Sequence, residues 1–387
     1  MERKIGLILT GGGARAAYQV GVLKAMAELL PRRAQNPFSV ICGTSAGALN
    51  AVTLAVNAGH LRSGVRHLLG IWRNSRVEDI YRTDPLGVIN NSGRWFAGLL
   101  LGSLGVHKLN PVSLLDNSPL TAFLEKNLPC DKIQESIDDG KLHALGITAS
   151  GYGSGDSVTF YQGADSLQPW KRVRRLGIPV RLEIKHLLAS SALPFLFPAV
   201  HINREYFGDG SMRQIAPISS ALHLGANCVM VIGVGQSGIE HPRESIGEYP
   251  SLAQIAGHAL NSIFLDSMEV DLERVQRINR TTSLITEELR QRIGLHHVDV
   301  LVMEPTKSIE KIAERYVRNL PWTIRLLLRF IGAIQSRGAN LVSYLLFERN
   351  FCRALIDLGY QDAMQRKEEI LIFFGQKPAP ATDAFPQ

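Results

Sequence analysis

Cysteine is scarce in this chain. Its four cysteines, Cys42, Cys130, Cys228 and Cys352, stand far apart in 387 residues. That spacing offers no disulfide framework and suits free thiols in a reducing compartment. Neither a Cys-x-x-Cys pair nor a His-Glu-x-x-His run occurs, so a metal site has no support and none is expected. The phosphate-loop pattern G-x-x-x-x-G-K-[ST] is missing too. Arg3-Lys4 is followed by only five mostly apolar residues, Ile5 to Leu9, too few for the core of a signal peptide. Acidic residues are the minority, 35 against 42 Lys and Arg, for a formal net charge of +7. Such a surplus attracts anionic lipid surfaces. It would attract nucleic acid as well, but no recognition motif for it is present, and no nucleic-acid partner is expected.

What the chain does have is glycine at two turns, Gly11-Gly12-Gly13 and Gly43-Thr44-Ser45-Ala46-Gly47. The second is a G-x-S-x-G elbow, which puts a serine hydroxyl on a sharp strand-to-helix turn. With 35 glycines in the chain a chance match is credible, so the flanks decide. Phe38 to Cys42 reads as a buried strand and Ala46 to Ala55 as a buried helix, which sets Ser45 at their junction. There the helix N-terminus helps to hold an oxyanion. The alternative is an ordinary turn with Ser45 as N-cap. The first turn offers backbone N–H groups to an anion. It also fits the dinucleotide fingerprint through Gly11-Gly12-Gly13-Ala14-Arg15-Ala16. That reading needs an acid at the end of the second strand, and Cys42-Gly43-Thr44-Ser45 supplies none, which weakens a nicotinamide or flavin site. No cofactor is expected.

Further along come Ala189-Ser190-Ser191-Ala192-Leu193-Pro194-Phe195-Leu196-Phe197-Pro198 and Tyr206-Phe207-Gly208-Asp209-Gly210-Ser211. The order is a Gly-Gly-Gly-x-Arg loop, a Gly-Thr-Ser-Ala-Gly elbow, an Ala-Ser-x-Ala-x-Pro-x-x-Phe-Pro block and an Asp-Gly turn. Over residues 4–235 this resembles the patatin-like phospholipases. The resemblance implies a Ser–Asp dyad without histidine. It makes Ser45 the nucleophile and Asp209 its partner, and lines the oxyanion hole with Gly11, Gly12 and Gly13. The N–H of Ala46 joins them at the start of the elbow helix. Arg15 belongs to the same loop and is expected to bind substrate. Ala16 and Ser211 depart from common family residues and bear on which acyl chains fit.

The dyad also makes chemical sense by itself. An aspartate in water, with a pKa near 3.9, is a poor base for a hydroxyl. A dry site raises that value, and Tyr206, Phe207 and the Phe195–Phe197 segment supply apolar surroundings. The competing reading of Asp209 is a turn aspartate that caps its own backbone. Rival bases would be His143, His186, His201, His223, His258, His296 or His297, but none sits in a Gly-rich or aromatic loop, and His223 falls on an apparent surface helix.

Strands at 4–9, 38–42, 142–148, 158–161, 227–232 and 298–303 alternate with helices such as 16–30 and 46–58. Alternation of this kind predicts an α/β fold, and the resemblance implies the same: a three-layer α/β/α patatin-like fold with a mainly parallel central sheet. Expected divisions are a catalytic domain over 1–305, a helical C-terminal extension over 306–376 and a disordered, Pro-rich tail over 377–387. Residues 84–111, rich in glycine, read as a mobile flap or a plain loop near the site mouth. Trp322 to Gln335 reads as a helix with Arg325 and Arg329 on one stripe. It is too short and too charged to span a membrane, and serves either as an interfacial helix or as a core helix.

The expected activity is hydrolysis of fatty-acyl esters of phospholipids or related lipids, in the cytoplasm and peripherally at the inner membrane face. A catalytically silent lipid- or partner-binding protein on the same scaffold is the rival from another class. Head group, chain length and oligomeric state are not legible in the residues.

Overall fold

The computed structural model describes residues 3–32, 34–102, 113–236, 252–263, 267–330, 332–333 and 339–376. Among the described residues ten strands form one sheet: β1 (Ile5–Leu9), β2 (Phe38–Thr44), β3 (Ala144–Gly151), β4 (Ser157–Gly163), β5 (Trp170–Arg172), β6 (Arg175–Pro179), β7 (Val200–Ile202), β8 (Glu205–Asp209), β9 (Cys228–Ile232) and β10 (Asp299–Met303). The order β10-β9-β1-β2-β3 is parallel throughout, and β4 then runs antiparallel to β3. The central strands are buried at nearly every position and mostly apolar because both faces are covered. Leu7, Leu9, Ile41, Met230 and Ile232 enter the larger core, while Ile8, Val40, Cys42, Val229 and Val231 enter the core on the opposite face. The period of two sorts them.

Seven helices of the first half need names: α1 (Ala17–Leu29), α2 (Ala46–Ala55), α3 (Leu61–Asn74), α4 (Pro85–Gly102), α5 (Ser118–Asn127), α6 (Lys132–Asp138) and α7 (Ile184–Ser190). The larger core gathers side chains from α1, α2, α3 and α5. It also takes in Ile309, Ile324, Leu341, Phe351, Leu355 and Ile370 from the C-terminal helices. The Arg349–Gln365 helix lies against α1 almost backbone to backbone. A Cβ on Gly21 would sit 2.0 Å from the Ile356 carbonyl oxygen, and one on Gly359 would sit 2.2 Å from that of Tyr18. Two glycines facing each other's helix permit that approach.

Two expectations change in the structure. Pro85 to Gly102 is helical, although the segment 84–111 carries the glycines of a flap or loop. The cap explains this: the Asp84 carboxylate accepts the Gly87 N–H at 2.8 Å and its carbonyl accepts the Val88 N–H at 3.0 Å. Pro85 opens the helix without losing a bond. Gly105 and the rest of the segment to 111 lie outside the described residues. The second change is length, since the helix from Trp322 stops at Phe330. Gly332, at φ 79, turns the chain there, and the Ala333 N–H reaches back to the Leu328 carbonyl at 2.7 Å. Residues 334–335 and the tail 377–387 lie outside the described residues.

Candidate active site

One strand brings the two candidate residues together. In the register of β3, Thr148 stands opposite Thr44 of β2 and the next residue, Ala149, stands opposite Asp209 of β8. Ser45 directly follows Thr44, so both site residues leave the sheet at the same end of β3.

Ser45 has φ 54 and ψ −130, the left-handed side of backbone space that a serine rarely occupies. Its side chain makes no capping bond to α2, so the plain N-cap reading is not realised. The strain is held in place by neighbours. The Ser45 N–H donates to the Ser190 hydroxyl at 2.9 Å, and that hydroxyl donates to the Thr148 carbonyl at 2.6 Å. Gly47 lets α2 start against the end of β1, where a Cβ would lie 2.3 Å from the Leu9 carbonyl oxygen.

Asp209 is fully buried. One carboxylate oxygen, Oδ1, accepts the Ser211 N–H at 2.9 Å, so the turn-capping reading holds for half of the group. The other, Oδ2, is buried without an aligned donor. Desolvation pushes the carboxyl up to about 6, against the opposing pull of the Ser45 hydroxyl and of Ser211. A carboxylate of that pKa is ionised at neutral pH yet basic enough to accept a proton. Its own N–H donates to the Ala192 carbonyl at 2.9 Å. The Ala-Ser-x-Ala block therefore grips both residues, Ser45 through Ser190 and Asp209 through Ala192. The sequence offered this block as a motif but gave no sign of these bonds, since the two partners lie far away along the chain.

The glycine loop leads into a short 3-10 turn, Gly13–Ala16. Gly13 has φ 55, and a Cβ there would meet the Tyr344 carbonyl oxygen at 2.2 Å. Among the described residues no hydrogen bond takes up the N–H of Gly11, Gly12, Gly13 or Ala46. Gly13 and Ala46 border the cleft beside Ser45, whereas Gly11 and Gly12 do not. Arg15 is placed differently from its expected substrate-binding position. It is fully buried and turned away from the cleft. Its guanidinium meets Glu310 at 2.9 Å, the Ser343 hydroxyl at 2.8 Å and Asn340 Oδ1 at 2.6 Å, and lies 4.0 Å from the centre of the Tyr344 ring. Four such partners satisfy a buried charge.

The cleft at Ser45 is narrow, with a cavity volume of about 50 Å³. Its walls are almost wholly apolar: Leu49 of α2, Ile71 and Trp72 of α3, Ile80, Leu120, Phe123 and Leu124 of α5, Leu187 of α7, then Leu193, Phe197 and Phe347. Trp72 is fixed by donating to Asn50 Oδ1 at 2.7 Å and by stacking on Phe347. Ala16 and Ser211 do not line this space, although both lie close to the site. No histidine lines it among the described residues. His186 packs on Phe160 and takes the Glu183 N–H, and burial holds its pKa down. His223 stacks on Trp170.

The patatin-like phospholipase family model matches residues 7–222. Lysophospholipase nte1 of Aspergillus terreus is 48% identical over 56 residues, which are 14% of this chain and 3% of that protein. This chain thus matches only a small part of that relative's length. The crystal structure of VipD from Legionella pneumophila aligns with 95% of this chain and 67% of its own, at 14% identity and a TM-score of 0.36. Human GIVD cytosolic phospholipase A2, in complex with methyl gamma-linolenyl fluorophosphonate, aligns with 96% of this chain and 59% of its own, at 12% identity and a TM-score of 0.42. The family match spans more than half of the chain and contains Ser45, Asp209 and the whole glycine loop, and this protein belongs to the patatin-like phospholipase family.

Proposed function

We propose that this protein hydrolyses fatty-acyl esters of phospholipids or related lipids with Ser45 as nucleophile and Asp209 as its base. One observation carries the reading: a strained Ser45 on the wall of an apolar cleft stands beside a fully buried Asp209 whose Oδ2 has no aligned donor, both at the same end of β3. An apolar cleft suits an alkyl chain, because burying it there releases water without leaving polar wall groups unpaired.

Asp209 takes the proton of the Ser45 hydroxyl as Oγ attacks the ester carbonyl carbon. The negative charge moves to the carbonyl oxygen, within reach of the N–H groups of Gly13 and Ala46, with Gly11 and Gly12 shaping the loop. As the tetrahedral species collapses, the C–O bond to the alcohol breaks and the departing oxygen takes the proton from Asp209. Water then attacks the acyl-Ser45 ester, Asp209 accepts its proton, and the fatty acid leaves while Ser45 regains its hydrogen. The net charge of +7 and a lipid substrate support work peripherally on an anionic membrane, at its cytoplasmic face.

The test is labelling with a fluorophosphonate alkyl probe, followed by a panel of phospholipids, lysophospholipids and neutral glycerides. Covalent labelling at Ser45 together with fatty-acid release from at least one lipid is the expected result. An unlabelled, folded protein that still binds lipid would establish the silent alternative instead.

A further inference from the structure

We infer that an exposed apolar face formed by α4, the Trp322–Phe330 helix and Phe195 docks the protein on a bilayer containing anionic phospholipid. The orientation of the cleft mouth toward that bilayer rests on the acyl-hydrolase reading, but the surface itself is argued independently. Leu86 and Ile89 lie one turn apart on α4, and Leu86 is 83% exposed. Trp322 and Leu326 lie one turn apart on the second helix, with Trp322 58% exposed. Phe195 is exposed as well, held at φ 64. Five large apolar side chains facing water on neighbouring elements need an occupant.

Hydrogen bonds join these elements into one rim. The Thr323 hydroxyl donates to the Thr83 carbonyl at 2.7 Å, just before α4 begins. The Leu114 N–H donates to the Phe195 carbonyl at 2.8 Å, and the Ser92 hydroxyl of α4 donates to the Leu114 carbonyl at 3.3 Å. The same rim borders the cleft. Ile80, a wall residue, precedes Thr83 by one turn of chain, and the wall residues Leu193 and Phe197 flank Phe195.

Charge identifies the occupant. The chain carries about one acidic residue in eleven, 35 in 387. Yet none occurs between Asp84 and Asp116, and none between Glu314 and Glu348. Those two stretches hold α4 and the Trp322–Phe330 helix, and they display Arg94 and Arg329, with Arg325 half-buried beside them. Apolar side chains beside arginines, with Asp84 and Asp116 at the edge both paired to Arg82, match the boundary between acyl chains and anionic head groups. Tryptophan is favoured at that depth. A second copy of this chain fits poorly, because it would set arginines against arginines.

The experiment uses the full chain carrying Ser45→Ala, so that vesicles are not consumed. Vesicles of phosphatidylcholine alone are compared with vesicles containing one quarter phosphatidylglycerol. Tryptophan emission should shift to the blue only with the anionic vesicles, brominated lipid should quench it, and Trp322→Phe should remove both effects. Leu86→Glu/Leu326→Glu should weaken vesicle cosedimentation by roughly tenfold or more. Arg329→Glu should weaken it on anionic vesicles alone, and high salt should do the same. On the Ser45 background the same variants should lose vesicle hydrolysis while keeping turnover of a soluble butyrate ester within about twofold. Undiminished binding by the double Glu variant overturns the docking face. So does a dimer by light scattering that this variant splits, because the face then belongs to a second copy. Intact vesicle binding with no turnover of any ester leaves the docking face standing and removes the hydrolase reading.

Discussion

Buried Arg15 meets half-buried Glu310 at 2.9 Å, one from the turn after the glycine loop and the other from the helix Ile309–Glu314. Glu310 lies beyond the 7–222 stretch that matches the family, so the loop beside Ser45 is braced by a part of the chain that the match does not cover. Because Arg15 does not reach the cleft, its effect on the reaction runs through the position of Gly13. Glu310→Gln keeps an acceptor and removes the charge. It should lower kcat roughly tenfold and leave KM within about twofold, as expected for donors that matter most when charge develops. Arg15→Met strands Glu310 and Asn340, and should cost on the order of 3–5 kcal/mol, read by denaturant unfolding. Equal losses in kcat and in lipid affinity for Glu310→Gln would make the brace a binding element.

Ser45→Ala should abolish fluorophosphonate labelling and reduce ester hydrolysis by about 10⁴-fold or more, with an unchanged circular dichroism spectrum. Retention of a tenth of the wild-type turnover would assign the chemistry to another residue.

Asp209→Asn has two opposite consequences. Activity should collapse because the base is gone. Stability should rise at pH 8, because the folded carboxyl sits at about 6, above its ordinary value, so its ionised form opposes folding. The folded state binds the proton more tightly, hence wild-type stability is lost as pH climbs from about 4 through about 6. The gap between the two proteins should be at most about 3 kcal/mol at pH 8 and vanish near pH 4. Calorimetry at the two pH values checks it. A variant less stable than wild type at pH 8 contradicts the buried, poorly compensated charge.

Ser190→Ala removes one hydroxyl that serves two groups, the Ser45 N–H and the Thr148 carbonyl. Orphaning both should cost about 1–3 kcal/mol of stability. The elbow should relax from its strained geometry, so the labelling rate at Ser45 should fall together with kcat, by roughly 10²-fold. Loss of stability with an unchanged labelling rate would reduce Ser190 to a structural role.

The pH profile of kcat/KM should fall on the acid side with a midpoint near 6, as Asp209 takes up its proton. A histidine would titrate in the same range, so variants must separate the two. Changing His143, His186, His201, His223, His258, His296 or His297 singly to alanine should leave that limb in place. One histidine variant that is folded and as inactive as Asp209→Asn would replace the dyad with a triad.

The elbow was legible because local geometry forces its residue types. Gly47 must be glycine to clear the Leu9 carbonyl, and a buried strand must precede Ser45. The parallel sheet was legible for the same reason, as runs buried on both faces. Arg15 was not, because Glu310, Asn340 and Ser343 meet it only in three dimensions. The bonds of Ser190 were hidden likewise. In α4 the glycine count outweighed one cap, Asp84 followed by Pro85, and the cap prevailed in the structure. The arginines of the Trp322–Phe330 helix were visible, but not that Thr323 ties them to the edge of α4.

The facing glycines Gly21 and Gly359 bear on the timing of synthesis. Helix α1, which follows the glycine loop, packs against the Arg349–Gln365 helix, far along the chain from it. Contacts so distant along the chain form late and slowly. While the ribosome still holds residues 349–365, the groove of α1 is open and the Tyr344 carbonyl is not yet set against Gly13. The nascent chain would then form the strand and helix that hold Ser45 before the glycine loop beside it is set in place.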